Sequence, residues 1–456
     1  MSEQQLEQIA SDLVGRAVRA GATAADAVVR EADEFSTALR LGKIESLKEA
    51  ASKSLGLRVF LGARSASSYS SDFSPQSLNR LVERTISMAG VTSEDPAGGL
   101  ADAELLGRHA DDLALYSDDV GRLSTEDRIA YARRAEEAAL ATDPRIKNSE
   151  GASFEATLGA KAYANSLGFV GSYRASTCGF SVVPIAQNGS QSGGAAGMQR
   201  DYWYSVARRV SALENPESVG RKAAERALRR LGARKVPTCR VPVIFDSQTA
   251  PSIVGHIFDA VRGDAIYRHA SFLAGKLNQR VAGENITILD DGLRPGGFGS
   301  RPFDDEGVPA SVTSVIEKGL LSNYLLNCYA ARKLNLRTTG NATRGVAGPP
   351  GVGPKNFYLP AGSQTPEEMI RSVKSGLYVT ELIGFGVNVV TGDYSRGAAG
   401  IWIEDGELTY PVEEVTIAGN LAEIFNHIAV IGSDLEFKSA IAAPTLLVEG
   451  LTVAGM

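Results

Sequence analysis

Residues 27–61 read AVVREADEFSTALRLGKIESLKEAASKSLGLRVFL, and their apolar and polar side chains alternate with the two-residue period of strands. Residues 27–31, 36–41, 44–50 and 54–61 form four strand-length pieces with breaks such as Gly42-Lys43, so the stretch predicts an antiparallel meander. Upstream, Leu6, Ile9, Leu13, Val14 and Ala17 fall at three- and four-residue intervals, marking one face of an amphipathic helix that stops at Gly21. Downstream, Ser74-Pro75 supplies an N-cap and a proline at the first helical position, and Leu78, Leu81, Val82, Thr85 and Ile86 carry the helical period onward. Helices on a curved antiparallel sheet are therefore expected over residues 1–90.

Residues 91–123, with Pro96, Gly98, Gly99 and scattered acids, suit a surface connection between domains. Ser124 then caps a second helix reaching Leu140, with Asp127 as the capping-box acid. Alternation over residues 146–183 predicts long hairpins, Gly189-Ser190-Gln191-Ser192-Gly193-Gly194 reads as a loop, and residues 216–231 form another amphipathic helix. From Pro242 onward glycine, proline and short strands dominate. The expectation is an α+β chain in three parts: an N-terminal α/β domain (1–90), a central helix and β-hairpin region (91–235) and a larger β-rich C-terminal domain (236–456).

The 456 residues, 43% hydrophobic and 22% charged, can bury more than one core and exclude a disordered chain. A net charge of −6 builds no positive field for phosphates, so nucleic acid is not an expected partner. Cys178, Cys239 and Cys328 are odd in number and contain no CxxC, which argues against a disulfide framework or a thiolate zinc site and fits a reducing compartment. The opening Met1-Ser2-Glu3 carries no secretory pattern, and no window approaches the roughly 18 apolar residues of a membrane span. A cytoplasmic location without membrane contact is the expectation.

Four histidines limit the catalytic options. His109 reads as a surface residue and His427 as a packing residue. His256 and Asp259 stand three apart on one helical face, close enough to share a metal or a hydrogen bond. A helical zinc site needs a second histidine and an adjacent glutamate as base, both missing here, so a capped or paired polar residue is the stronger reading. Gly189-Ser190-Gln191-Ser192-Gly193 has glutamine where a serine-hydrolase elbow has its nucleophile. Gly384-Phe385-Gly386 lacks the third glycine of a dinucleotide site. The residues alone present no complete catalytic constellation.

The strings Phe303-Asp304-Asp305-Glu306-Gly307, Thr339-Gly340-Asn341-Ala342, Val390-Thr391-Gly392-Asp393-Tyr394-Ser395-Arg396-Gly397-Ala398, Trp402-Ile403-Glu404-Asp405-Gly406-Glu407 and Tyr410-Pro411-Val412-Glu413-Glu414-Val415 closely resemble the TldD/PmbA metalloprotease family, also described as modulators of DNA gyrase. The resemblance extends over nearly the whole chain. In that family the TldD-type subunits carry His-Glu, three residues and His, with Gly-Asp following, plus a cysteine near the C-terminus. Counting back from Gly263-Asp264 puts these positions at Val254, Gly255 and Asp259, and residues 429–433 contain no cysteine.

The resemblance therefore implies a PmbA/TldE-type subunit lacking the zinc motif, with no catalytic residue and no cofactor of its own. Zinc is then expected in a TldD-type partner, and the heterodimer would degrade unfolded peptides and process peptide precursors. The alternative is a homodimeric peptide-binding or scaffold protein without proteolytic activity. Candidates for substrate-facing residues are His256, Asn356, Phe357 and Tyr358. The last three follow the glycine- and proline-rich run 345–354, read as a chamber loop leading into an edge strand.

Overall fold

A computed structural model describes residues 1–188 and 197–455; the string Gly189-Ser190-Gln191-Ser192-Gly193-Gly194 lies outside the described residues. Helix Glu3–Arg19 begins with a capping box between Ser2 and Gln5 and buries Leu6, Ala10, Leu13, Val14 and Ala17. The strands that follow are β1 (Ala24–Arg40), β2 (Lys43–Leu61), β3 (Arg64–Ser70), β4 (Ile146–Asn165) and β5 (Val170–Gln187), in the antiparallel order β3-β2-β1-β4-β5. The expected meander of four short pieces is thus corrected to two long strands, 17 and 19 residues, joined at Leu41-Gly42. The polar runs that look like breaks, such as Glu31 to Glu34, only change the exposure of a strand whose backbone stays paired on both sides.

Two apolar layers cover this sheet. Helices Glu3–Arg19 and Pro75–Gly90 pack on one end over Val29, Leu57 and Ala162. Helices Thr125–Thr142 and Pro216–Arg229 pack on the other over Phe35, Phe154 and Phe180. The latter two helices touch at Gly220, where a Cβ would stand 2.2 Å from the Ala135 carbonyl oxygen.

In the C-terminal part, strands Ser375–Ile383, Cys239–Phe245, Leu446–Ala454, Glu407–Asn420 and Asp393–Glu404 pair in that order, and the last pairs back with the first to close a ring. Closure removes the free edges. A second sheet runs through Leu320–Leu321, Val312–Glu317, Ile288–Asp291, Asn356–Tyr358 and Ile441–Ala442. Here the expected edge strand is corrected: Asn356–Tyr358 lies inside the sheet, antiparallel to Ile288–Asp291 and parallel to Ile441–Ala442. The architecture is the α+β one expected, helices on a curved antiparallel sheet followed by a larger β-rich part.

A buried ionic seam ties the two parts together. Asp26 of β1 is fully buried and binds Arg58 of β2 and, at 2.7 Å, Arg344 from the C-terminal part. Beside it Lys161 of β4 meets Asp305, and Phe303 packs edge-on against Phe169 and Tyr173, with ring centres 5.1 and 5.6 Å apart. Gly56 of β2 is required by this crossing, since a Cβ there would fall 2.0 Å from the Val346 carbonyl oxygen.

Candidate functional site

Helix Ala250–Val261 carries the positions singled out by motif counting. Its start is fixed by Asp246, whose Oδ1 accepts hydrogen bonds from the backbone N–H groups of Gln248 (3.1 Å) and Thr249 (2.9 Å), and by Pro251 in the first turn. Ile253, Val254, Ile257, Phe258, Ala260 and Val261 are buried, so this apolar stripe seats the helix on the C-terminal core. Gly255 faces Ile441, whose Cδ1 would stand 3.7 Å from an added Cβ.

The polar side of the helix holds Ser252, His256 and Asp259 at the four- and three-residue spacing of one face. Asp259 turns to Arg262 (3.6 Å); burial raises its carboxyl above the ordinary range, and Arg262 partly offsets this. His256 turns to Tyr394, with ring centres 5.9 Å apart and planes at 68°. Its Nε2 is buried without a hydrogen-bond partner among the described residues, and burial, reinforced by Arg396, pushes its pKa down to about 4. The helical spacing would allow His256 and Asp259 to share a ligand; each instead faces a different neighbour.

Zinc does not fit here. Val254 offers no donor atom and is fully buried, Gly255 has no side chain, and Asp259 is engaged with Arg262. Among the described residues no group of three or more His, Cys, Asp or Glu side chains is arranged to hold a metal ion. The thiols offer no nucleophile: burial pushes Cys178 up to about 12 and Cys328 higher still.

The other wall of the site comes from strand Asp393–Glu404, part of the string Thr391 to Ala398. Tyr394 and Arg396 are two residues apart and so point to the same side of the strand, toward the helix. Arg396 Nη1 donates to Ser252 Oγ at 2.7 Å, while Arg396 Nε and the Tyr394 hydroxyl are buried without partners among the described residues. Ser252 and Arg396 open onto a cavity of about 430 Å³ between the central and C-terminal parts, shared with Thr249, Thr380 and Tyr202. Sequence reasoning overlooked Ser252, Tyr394 and Arg396. The available signal was an arginine and a tyrosine on one face of a strand-like string.

Asn356 and Phe357 are fully buried. The Asn356 amide donates to the Asp291 carbonyl (2.6 Å) and Ser300 Oγ (2.8 Å), and Phe357 packs edge-on against Phe258 at 5.6 Å, so both brace the sheet. Tyr358 is half-buried against Phe437. The glycine-proline run does reach open space: Pro349, Pro350, Gly351 and Val352 line a cavity of about 440 Å³ together with Asp264 and Tyr267.

Three domain models of one family match this chain: domain 1 over residues 25–89, the central domain over 118–231 and the C-terminal domain over 238–455, all of the PmbA/TldA metallopeptidases. The chain is 38% identical over 431 residues to metalloprotease PmbA of Escherichia coli O157:H7, covering 94% of this chain and 92% of that one. It is 35% identical to a metalloprotease PmbA homologue of Haemophilus influenzae, covering 99% and 97%. A crystal structure from Bacteroides thetaiotaomicron, described as a proposed modulator of DNA gyrase, superposes with a TM-score of 0.90 at 27% identity, covering 98% of each chain. TldE of Thermococcus kodakarensis shares the fold, with a TM-score of 0.88 at 19% identity over 98% and 99%.

Proposed function

The chain belongs to the PmbA/TldD metallopeptidase family, and from that premise we propose that it is the metal-free, PmbA/TldE-type subunit of a two-subunit zinc peptidase. A TldD-type partner holds the zinc and its base. This chain supplies surface that encloses and orients an unfolded peptide, and the pair degrades such peptides and processes peptide precursors in the cytoplasm. The observation that carries the reading is helix Ala250–Val261: a framework matched along nearly the whole chain carries, at the three motif positions, a core valine, a glycine and an arginine-paired aspartate. Without a ligand set to lower the pKa of a bound water, this site cannot perform metal-assisted hydrolysis by itself.

Co-expression with a TldD-type chain from the same genome, followed by gel filtration and mass measurement, tests the assembly. A one-to-one complex is the expected result. A stable homodimer that ignores the TldD-type chain would replace this reading with a peptide-binding scaffold.

A further inference from the structure

We propose that the cavity beneath Arg396 is a carboxylate-binding site, taking the terminal or side-chain carboxylate of an extended peptide; the peptide class rests on the subunit reading above. The cavity lies where strand Asp393–Glu404, the bulged end of strand Ser375–Ile383 and the first turn of helix Ala250–Val261 meet the segment around Tyr202. Its volume of about 430 Å³ is within the roughly 300–1,000 Å³ of small-ligand pockets.

The charges decide what it takes. Two of its three arginines already have carboxylates: Arg200 meets Glu150 at 2.5 Å, and Arg230 meets Glu381 at 2.6 Å with Asp201 at 3.8 Å. Arg396 differs. Among the described residues it makes no ion pair, its Nη1 is held by Ser252, and its Nε is buried and unpartnered. A guanidinium presents five N–H donors in a planar fork that matches a carboxylate bidentately, and most of those donors are unused here. The neighbouring Tyr394 hydroxyl is also without a partner, and His256 is held neutral, so Arg396 is the uncompensated cation of this wall. One such cation, with Glu150, Asp201 and Glu381 around the same cavity, suits a monoanion and disfavours a phosphate dianion.

The test is calorimetric titration of the full chain with three probes: acetylated trialanine with a free carboxylate, the same peptide as its amide, and acetylated Ala-Ala-Glu amide. The free acid should bind roughly tenfold to a hundredfold more tightly than the neutral amide, the range of a charge-assisted hydrogen-bonded pair. Binding by the free acid alone assigns the site to the peptide terminus; binding by the glutamate peptide as well extends it to side chains. Arg396→Gln, with its melting temperature checked, should abolish the preference. Equal binding of free acid and neutral amide, no binding of either charged probe, or a preference unchanged in Arg396→Gln would overturn the assignment. The wild-type contrast needs no variant, and because the chain is titrated alone, failure of assembly with a TldD-type partner is a separate result.

Discussion

Replacing Asp26 by asparagine should loosen the join between the N-terminal sheet and the C-terminal part. The carboxylate is fully buried between two guanidinium groups, Arg344 with 2% of its side chain exposed and Arg58 with 8%. The amide has nearly the same shape but no charge, so the variant leaves two buried cations facing each other. Breaking a buried pair in this way costs roughly 3–5 kcal/mol. At roughly 2–4 °C per kcal/mol for a large domain, the melting temperature should fall by roughly 6–20 °C. The effect has a pH signature. Burial would raise the Asp26 carboxyl, but Arg344 and Arg58 outweigh it and hold the group below its ordinary 3.8. The unfolded chain therefore takes up the proton first as the pH falls, so the stabilisation is complete above about 3.8 and is lost as the pH drops through the lower folded value. Calorimetric scans of the wild-type chain and Asp26→Asn should differ fully at neutral pH and converge in strong acid. A difference under roughly 2 °C at pH 7, or one that grows in acid, would refute the argument.

Three further outcomes follow from the same kind of reasoning. Lys355 is fully buried, with its Nζ donating to the Ser311 and Thr339 carbonyls and 3.7 Å from Asp290; Lys355→Met should lower stability to urea by roughly 3–5 kcal/mol, and adding Asp290→Asn should recover part of it, whereas no recovery would show the two charges to be uncoupled. By NMR His256 should titrate near pH 4, contributing stability that is complete above about 6.5 and lost as the pH falls toward about 4; a midpoint near 6.5 would contradict its burial. Rebuilding the motif with Val254→His and Gly255→Glu should not confer stoichiometric zinc by elemental analysis, because position 254 points into the core; one tightly held zinc per chain would show that the helix can turn its face.

Local signals made much of the fold legible. The capping box at Ser124 and the proline after Ser74 set helix starts that the structure shares. The length of β1 and β2 was not legible, because charged residues on their exposed stretches mimic turns, and the pairing that holds the far side of β1 comes from β4, over a hundred residues away. Ring closure depends on residues 377–379 lying parallel to residues 243–245, which no local period encodes. The site divides in the same way. The lost donors of helix Ala250–Val261 could be read only through the family motif laid on the sequence, and the contact of Ser252 with Arg396, 144 positions apart, could not be read at all. Asp26 did leave a trace, a lone acid in the apolar run Ala24-Ala25-Asp26-Ala27-Val28-Val29 that only a buried partner could make tolerable.

The division of labour between two subunits is tested most directly by assaying this chain alone, a TldD-type chain alone and the purified pair for cleavage of an unstructured peptide, with zinc measured in each sample. The account predicts turnover by the pair, zinc located in the TldD-type chain, and turnover within several-fold of normal when the pair carries Asp259→Ala in this subunit. Zinc and cleavage in this chain by itself, or near-complete loss of turnover in an intact Asp259→Ala pair, would contradict it.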